Sequence, residues 1–273
     1  MSMVRKWSLG RILSLLMLLI AAVISVFPFY WMIVGTSLNP NDVIKGVLVP
    51  GKELALNWQK AIGPYNLPLY FFNSLKIALL TVVFGLVVNG LAAFGFEKYQ
   101  SKARNRVFGV LLLTLIVPQI AIVIPMFRMF AFFGLLNTHA AIILPSIMSV
   151  FILFFMRQNF KMFPTEIMEA ARVDGAGELS IFVRIVTPSM QATYASAAIY
   201  LFLGQWNSYL WPLITIMSEE MKTLPLSMSS VMGAYTIQYG ALMVIVCISV
   251  VPVLVLFLSM QKQFVAGLLG SIK

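Results

Sequence analysis

The chain has 273 residues, 60% of them apolar and only 10% charged, with a net charge of +10. A soluble globular domain carries roughly a quarter charged residues, so this composition excludes one and puts long apolar runs in lipid or in a helical bundle within it. The positive charge does not point to nucleic acid, because the bases form no stripe and no arginine–aromatic module; they sit between the apolar runs, where charge orients membrane helices.

Arg5, Lys6 and Arg11 precede the first apolar run, 12–33. It is longer than the core of a cleaved signal peptide and reads as a retained helix. Residues 37–71 contain Pro40, Pro50, Pro64 and Pro68 and read as an external loop with a short helix around Trp58. Within that loop, Gly46, Gly51 and Lys52 imitate the spacing of a phosphate-binding loop. Glu53 stands where a hydroxyl for magnesium is needed and no strand precedes it, so the match reads as accidental. Further apolar runs cover 72–96, 107–127, 140–160, 192–212 and 241–260. A helix needs about 20 apolar residues to cross the hydrocarbon, so six membrane helices are expected. Barrel strands would be about half as long and would alternate. Pro118 and Pro125, seven apart, should kink the third run on one face, as packing geometry or as a gating hinge. The lone Cys247 lies in the last run and has no partner for a disulfide.

Thirteen of the nineteen bases fall on one side of this arrangement: the N-terminus, the 97–106 and 157–187 loops and the C-terminal end. The positive-inside rule then puts both termini in the cytoplasm, which agrees with six spans. All nine acids lie in loops or at span ends. The sequence contains no paired aspartates, Ser–His pair or His–Glu metal motif, so an intramembrane enzyme and a metal site are not expected.

The 157–187 loop is the least lipid-like part of the chain. Pro164 suits a helix start, and Glu166 and Glu169 sit near its positive end, where carboxylates are favoured. Ile167, Ala170, Ala171 and Asp174 share one small or apolar flank. Asp174-Gly175 is a turn signal. Leu179, Phe182, Val183 and Val186 mark a second short helix. Four acids and four bases balance in this loop, whereas a helix lying on lipid is usually basic. The pattern suits a small knob offered to a partner protein.

Glu169-Ala170-Ala171, three residues, Gly175, nine residues, Ile185-x-Thr187-Pro188 resembles the EAA loop of ABC importer permeases; Thr187 stands where leucine is usual. Asn73-Ser74, the Gly134–Thr138 run with Leu144-Pro145, the Trp206-Asn207-x-Tyr209-x-Trp211-Pro212 segment and the Gln263–Gly267 tail resemble the carbohydrate, maltose-type subfamily over nearly the whole chain. The resemblance implies an all-α membrane protein of six transmembrane helices with a cytoplasmic coupling loop between helices 4 and 5. It divides the chain into 1–71 (first helix and external loop), 72–262 (transmembrane core) and 263–273 (cytoplasmic tail). It further implies a non-catalytic permease subunit in the cytoplasmic (inner) membrane. That subunit binds no cofactor itself, ATP and magnesium being held by a dimer of separate ATP-binding subunits. Glu166, Glu169, Ala170, Ala171, Asp174 and Gly175 would couple to that ATPase. The other implied partners are a second homologous permease subunit, an extracytoplasmic solute-binding protein, membrane lipid and a carbohydrate substrate. Other solutes, such as glycerol phosphate or a peptide, are the first alternative. An ion-gradient-driven carrier is the second, disfavoured by the absence of mid-span acids.

Polar residues inside spans are costly and often functional. Asn89, Gln119, Tyr200, Gly204, Asn207 and Trp211 are the candidates for a solute path. On the fifth run Tyr200, Gly204, Asn207, Ser208 and Trp211 would share one helical face, and rings and amides suit an uncharged polyol. The competing reading makes Asn89 a packing residue and Trp206, Tyr209 and Trp211 an interfacial belt.

Overall fold

The computed structural model describes residues 9–99, 101–232 and 237–269, and every regular element among these is helical. In chain order they are α1 (Leu9–Gly35), α2 (Pro40–Ile44), α3 (Leu54–Ile62), α4 (Leu67–Lys98), α5 (Lys102–Leu113), α6 (Gln119–Phe132), α7 (His139–Ile147) and α8 (Val150–Phe160). There follow α9 (Thr165–Val173), α10 (Glu178–Ile181), α11 (Thr187–Ser189), α12 (Gln191–Trp206), α13 (Leu210–Thr215), α14 (Leu224–Met232) and α15 (Tyr239–Leu269). A π-helical turn, Phe182–Val186, joins α10 to α11. Arg5, Lys6 and the end of the tail from Gly270 lie outside the described residues.

Among the described residues four helical stretches are long and apolar enough to cross a membrane: Leu9–Gly35, Leu67–Lys98, His139–Phe160 and Tyr239–Lys262. A fifth is available if the bent pair Lys102–Ile116 and Gln119–Phe132 is one span. Two expected spans differ from their reading. The third run is no kinked rod: its helix stops and the chain turns by 105°. Pro118 forces Val117 into extended backbone (φ −70°, ψ 122°), because its ring clashes with a helical predecessor. Pro125 is retained inside α6. The fifth run ends early as well. α12 has 16 residues, ~24 Å at 1.5 Å per residue, and the chain breaks over Asn207–Tyr209 before α13.

The described residues fall into two compact units. The first joins Met1–Leu67 with Met228–Val250. Its loop after α1 is held by Ser37, whose hydroxyl accepts from Gly51 N at 2.9 Å and whose carbonyl accepts from Glu53 N at 2.9 Å. A Cβ on Gly51 would lie 2.4 Å from that carbonyl, so this glycine is needed for close approach, not for phosphate. The helix expected around Trp58 is α3, anchored by Asn57 Nδ2 on the carbonyls of Thr36 (2.9 Å) and Leu38 (2.8 Å).

The second unit, Pro68–Ser227 with Val251–Lys273, is built on α8. Ile152, Leu153, Met156 and Phe160 are fully buried along it and pack with Ala93 and Phe94 of α4, Met168 of α9, and Phe182 and Val186 of the π turn. Apolar burial at about 25 cal/mol per Å² therefore seats the 165–187 segment on the same core as the spans. Two polar motifs fasten the connections. Asn73 Nδ2 donates to the carbonyls of Glu220 (2.8 Å) and Lys222 (2.9 Å), and Ser74 Oγ accepts from Leu224 N (2.8 Å). Asn137, at φ 57°, accepts from the backbone of Met217 and Ser218 (3.0 and 2.9 Å), and Thr138 caps α7 through Ala141 N.

Candidate functional site

Two neighbouring cavities of 290 and 530 Å³ lie where three helix interruptions meet in the second unit. The interruptions follow α5 at Val117–Pro118, α7 at Met148–Ser149 and α12 at Asn207–Tyr209. Gln119, Pro145, Ser146, Gly204 and Ser208 line both cavities. The smaller adds Thr81, Ser149, Tyr200 and Gln205; the larger adds Tyr209 and Trp211. Neither lining includes a charged side chain. Broken helices at membrane depth are tolerated where the freed backbone lines a cavity or finds a partner in protein, and both solutions are present here.

Asn89 supplies the second solution. It is fully buried in α4. Its Nδ2 donates to Ile147 O at 2.7 Å and Gly85 O at 2.7 Å, and its Oδ1 accepts from Ser149 N at 3.1 Å. One amide thus satisfies the carbonyl before the α7–α8 break and the N–H after it. Ser149 Oγ then caps α8 by accepting from Ile152 N at 3.3 Å. Asn89 lines neither cavity.

Of the other residues read from the sequence, Gln119, Tyr200, Gly204 and Trp211 line the cavities. Asn207 does not: it is exposed and its amide donates to Leu203 O at 2.9 Å. The single stripe on one helix is corrected, because α12 ends before Asn207 and the stripe is bent around the break. The interfacial-belt reading is corrected for the two tryptophans. Trp206 is buried and stacks on Phe202 at 5.5 Å. Trp211 is buried, edge-on to Phe130, and its indole donates to Ala141 O at 2.8 Å. Tyr200 is half exposed and packs on Phe151 at 4.7 Å. Thr81, Ser146 and Ser149 were not legible as candidates. Thr81 is the most informative of them: it is 1% exposed, lines the smaller cavity, and its hydroxyl has no hydrogen-bond partner among the described residues. An isolated threonine in an apolar run gives no sequence signal of that kind.

The 157–187 loop forms the second candidate region. α9 is closed by a Schellman turn: Ala176 N bonds Ala171 O at 2.9 Å, Gly175 N bonds Arg172 O at 3.0 Å, and Gly175 lies at φ 83°. Only glycine takes that backbone without penalty. Met168 is buried and Ala171 packs on the core, so this face seats the helix. The opposite face is free for contact: Glu166, Glu169, Ala170, Asp174 and Gly175 are exposed, as is Val173, at 88%. Glu169 makes no ion pair or hydrogen bond among the described residues. The two alanines of the motif thus divide, Ala170 outward and Ala171 inward. Beyond the turn, Arg172 Nε and Nη2 hold Glu178 at 2.7 and 3.2 Å. Hydrogen bonds from Arg172, then Tyr99, keep the Glu178 carboxyl below its ordinary value of 4.5.

Among the described residues, a helical core with interrupted apolar helices and an amphipathic helix–turn–helix seated on it is the architecture of a multi-pass membrane protein. The sequence matches the binding-protein-dependent transport system inner membrane components over residues 82–269, and the chain belongs to that family. It is 46% identical over 254 residues to the lactose transport system permease protein LacG of Rhizobium radiobacter, 93% of each chain being covered. It is 32% identical over 279 residues to the arabinooligosaccharides transport system permease protein AraQ of Bacillus subtilis (strain 168), 98% of each chain being covered. A chain from the crystal structure of a bacterial ABC transporter involved in the import of the acidic polysaccharide alginate shares the fold, with a TM-score of 0.84 at 19% identity over 95% of this chain and 99% of that one.

Proposed function

We propose that this chain is the permease subunit of an ATP-driven importer that carries a neutral carbohydrate, a sugar or oligosaccharide, across the cytoplasmic membrane. The observation that carries the solute class is the identity with a lactose permease along nearly the whole chain. The cavity chemistry agrees: hydroxyls, amides and a tyrosine ring, with no fixed charge, suit a polyol. Gln119, Tyr200, Gly204 and Trp211 form the path in this reading, joined by Thr81, Ser149 and Gln205. Asn89 supports it from behind by holding the α7–α8 break open. Asn207 serves the break at the end of α12.

Six spans follow if α5–α6 is one bent span and α12–α13 another. The excess of bases on the 97–106 and 157–187 side then puts both termini in the cytoplasm. In that orientation α9, between the fourth and fifth spans, faces the compartment that holds ATP. The chain hydrolyses nothing itself. Glu169, exposed and unpaired among the described residues, offers a carboxylate for a charge-assisted contact with a cation on the ATP-binding subunit, and Val173 offers apolar area beside it. Glu166, Ala170, Ala171, Asp174 and Gly175 shape the same knob. ATP and magnesium belong to the paired ATP-binding subunits. A second, homologous permease completes the path, and an extracytoplasmic binding protein delivers the solute.

The test is reconstitution of the full complex in liposomes with labelled lactose and labelled glycerol phosphate. ATP-dependent lactose uptake, lost in Glu169→Lys together with ATPase copurification, is the expected result. Uptake that ignores ATP overturns the importer reading; ATP-dependent uptake of the phosphate alone overturns the neutral-sugar reading.

A further inference from the structure

The end of α4 and the residue after it carry three consecutive side chains, Glu97, Lys98 and Tyr99, and each reaches a different part of the 157–187 segment. Glu97, 8% exposed, accepts from Arg157 Nε at 3.1 Å near the end of α8. The same guanidinium donates from Nη2 to Asn105 Oδ1 at 2.9 Å and lies 4.1 Å from the centre of the Phe108 ring, so it joins α4, α5 and α8. Lys98 Nζ donates to Phe163 O at 3.0 Å and sits 5.6 Å from the centre of that ring. Phe163 immediately precedes Pro164, which caps α9. Tyr99, the residue after α4, stands beside Glu178 and Arg172, the pair that spans the turn after α9. The start and the end of α9 therefore both meet the C-terminal end of α4 and the residue that follows it, and α8, before α9, is tied there as well.

A buried ion pair is weak evidence for stability, since a well-packed apolar pair of similar volume does as well or better, whereas removing one partner strands a charge. Its recurrent use is to fix one arrangement among several. Eight residues back along α4 from Glu97, ~12 Å at 1.5 Å per residue, stands Asn89, whose amide holds the α7–α8 break beside the smaller cavity. We propose that Glu97, Lys98 and Tyr99 are positioning residues that fasten α9 to α4, so that a displacement of α9 is handed through α4 and Asn89 to the broken helix at the cavity. This rests on the coupling role of α9 given above. It adds the element that receives the motion, which the EAA motif does not contain.

The test uses the complete complex, with ATPase, partner permease and binding protein, in liposomes, and lactose as the probe. Three quantities are read: ATPase retained on purification, ATP hydrolysed, and lactose imported per ATP. Glu97→Arg and Arg157→Glu should each retain the ATPase and its hydrolysis while lactose per ATP falls about fivefold or more, the lower end of ordinary coupling between sites. The double reversal, Glu97→Arg with Arg157→Glu, should restore most of that ratio. Tyr99→Phe, which removes one hydroxyl and assembles where a reversal does not, should lower the ratio in the same sense. An unchanged ratio in the assembled variants overturns the proposal. So does a loss that only tracks loss of assembly, since that is what a purely structural anchor gives. Failure of the wild-type complex to hold an ATPase instead overturns the coupling role of α9 itself.

Discussion

The 165–187 loop and the cavity at the three helix breaks are built by opposite means. In the loop, the contacts that close the turn are local: the Schellman bonds span three and five residues, and Arg172 meets Glu178 six residues away. In the cavity, the determining contacts are long-range: Asn89 meets Ile147 and Ser149 across about sixty residues, and Trp211 meets Ala141 across seventy. A local device can be rigid by itself and move as one piece. A wall of broken helices has only as much definition as the distant side chains that hold it, which suits a surface that must rearrange around a solute.

The sharpest way to break this comparison is Asn89→Leu. It leaves the Ile147 carbonyl and the Ser149 N–H without their buried partner, and each orphaned group costs about 1–3 kcal/mol. A loss of about 2–4 kcal/mol is expected, because amides in membranes recover part of such a loss elsewhere. Thermal unfolding of the purified complex and lactose uptake should both fall. Unaltered melting would mean that the break is held by packing, and that the cavity is less dependent on remote bonds than α7 and α8 suggest.

Gly175→Ala is the matching change in the loop, and its effect should stay local. A Cβ there meets nothing within 4 Å, so the whole cost is the left-handed backbone, about 1–2 kcal/mol. Amide exchange over 165–176 should quicken by roughly 5–30-fold at 1.36 kcal/mol per decade, with the melting of the complex little changed. Gly175→Asn should cost less, since asparagine tolerates this conformation. A global loss of stability from Gly175→Ala would show that the loop and the spans form one cooperative unit.

The same contrast explains what could be read from the sequence. α9, its turn at Gly175 and the exposed carboxylate of Glu169 were legible because helix starts, glycine turns and charge are written within a dozen residues. The expectation of a kinked but continuous third span and an unbroken fifth one failed because hydropathy records whether a run is apolar, not whether its backbone continues. Pro118 was visible, yet a proline in a membrane run does not say whether the helix bends slightly or turns by 105°. Asn207 looked like part of a stripe only on the assumption that α12 passes through it. Asn73, Ser74 and Asn137 were recognisable by resemblance, while their role, fastening distant loops by backbone bonds, is a property of the fold. Ser149 and the Glu97–Arg157 pair carried no sequence signal because Asn89 and the other half of the pair are sixty residues away, and Thr81 carried none because only the fold puts it at the cavity.

The smallest expected effect is the most local one. Glu178 is held below its ordinary pKa of 4.5, first by Arg172 and then by Tyr99. A carboxyl depressed on folding contributes its stabilisation above the unfolded value and loses it as pH falls through the folded value. The bond across the turn is therefore intact at neutral pH and released only below about 4.5. Both partners are more than a third exposed, so solvent screening limits the pair to a few tenths of a kcal/mol. Protection of the amides between Arg172 and Glu178, compared with Glu178→Gln at each pH, should exceed the variant by less than about threefold at pH 7. The difference should vanish as the pH is lowered through the range just below 4.5. A difference that persists in acid would mean that Tyr99 and the packing of Ala176, rather than the ion pair, hold the second arm of the loop.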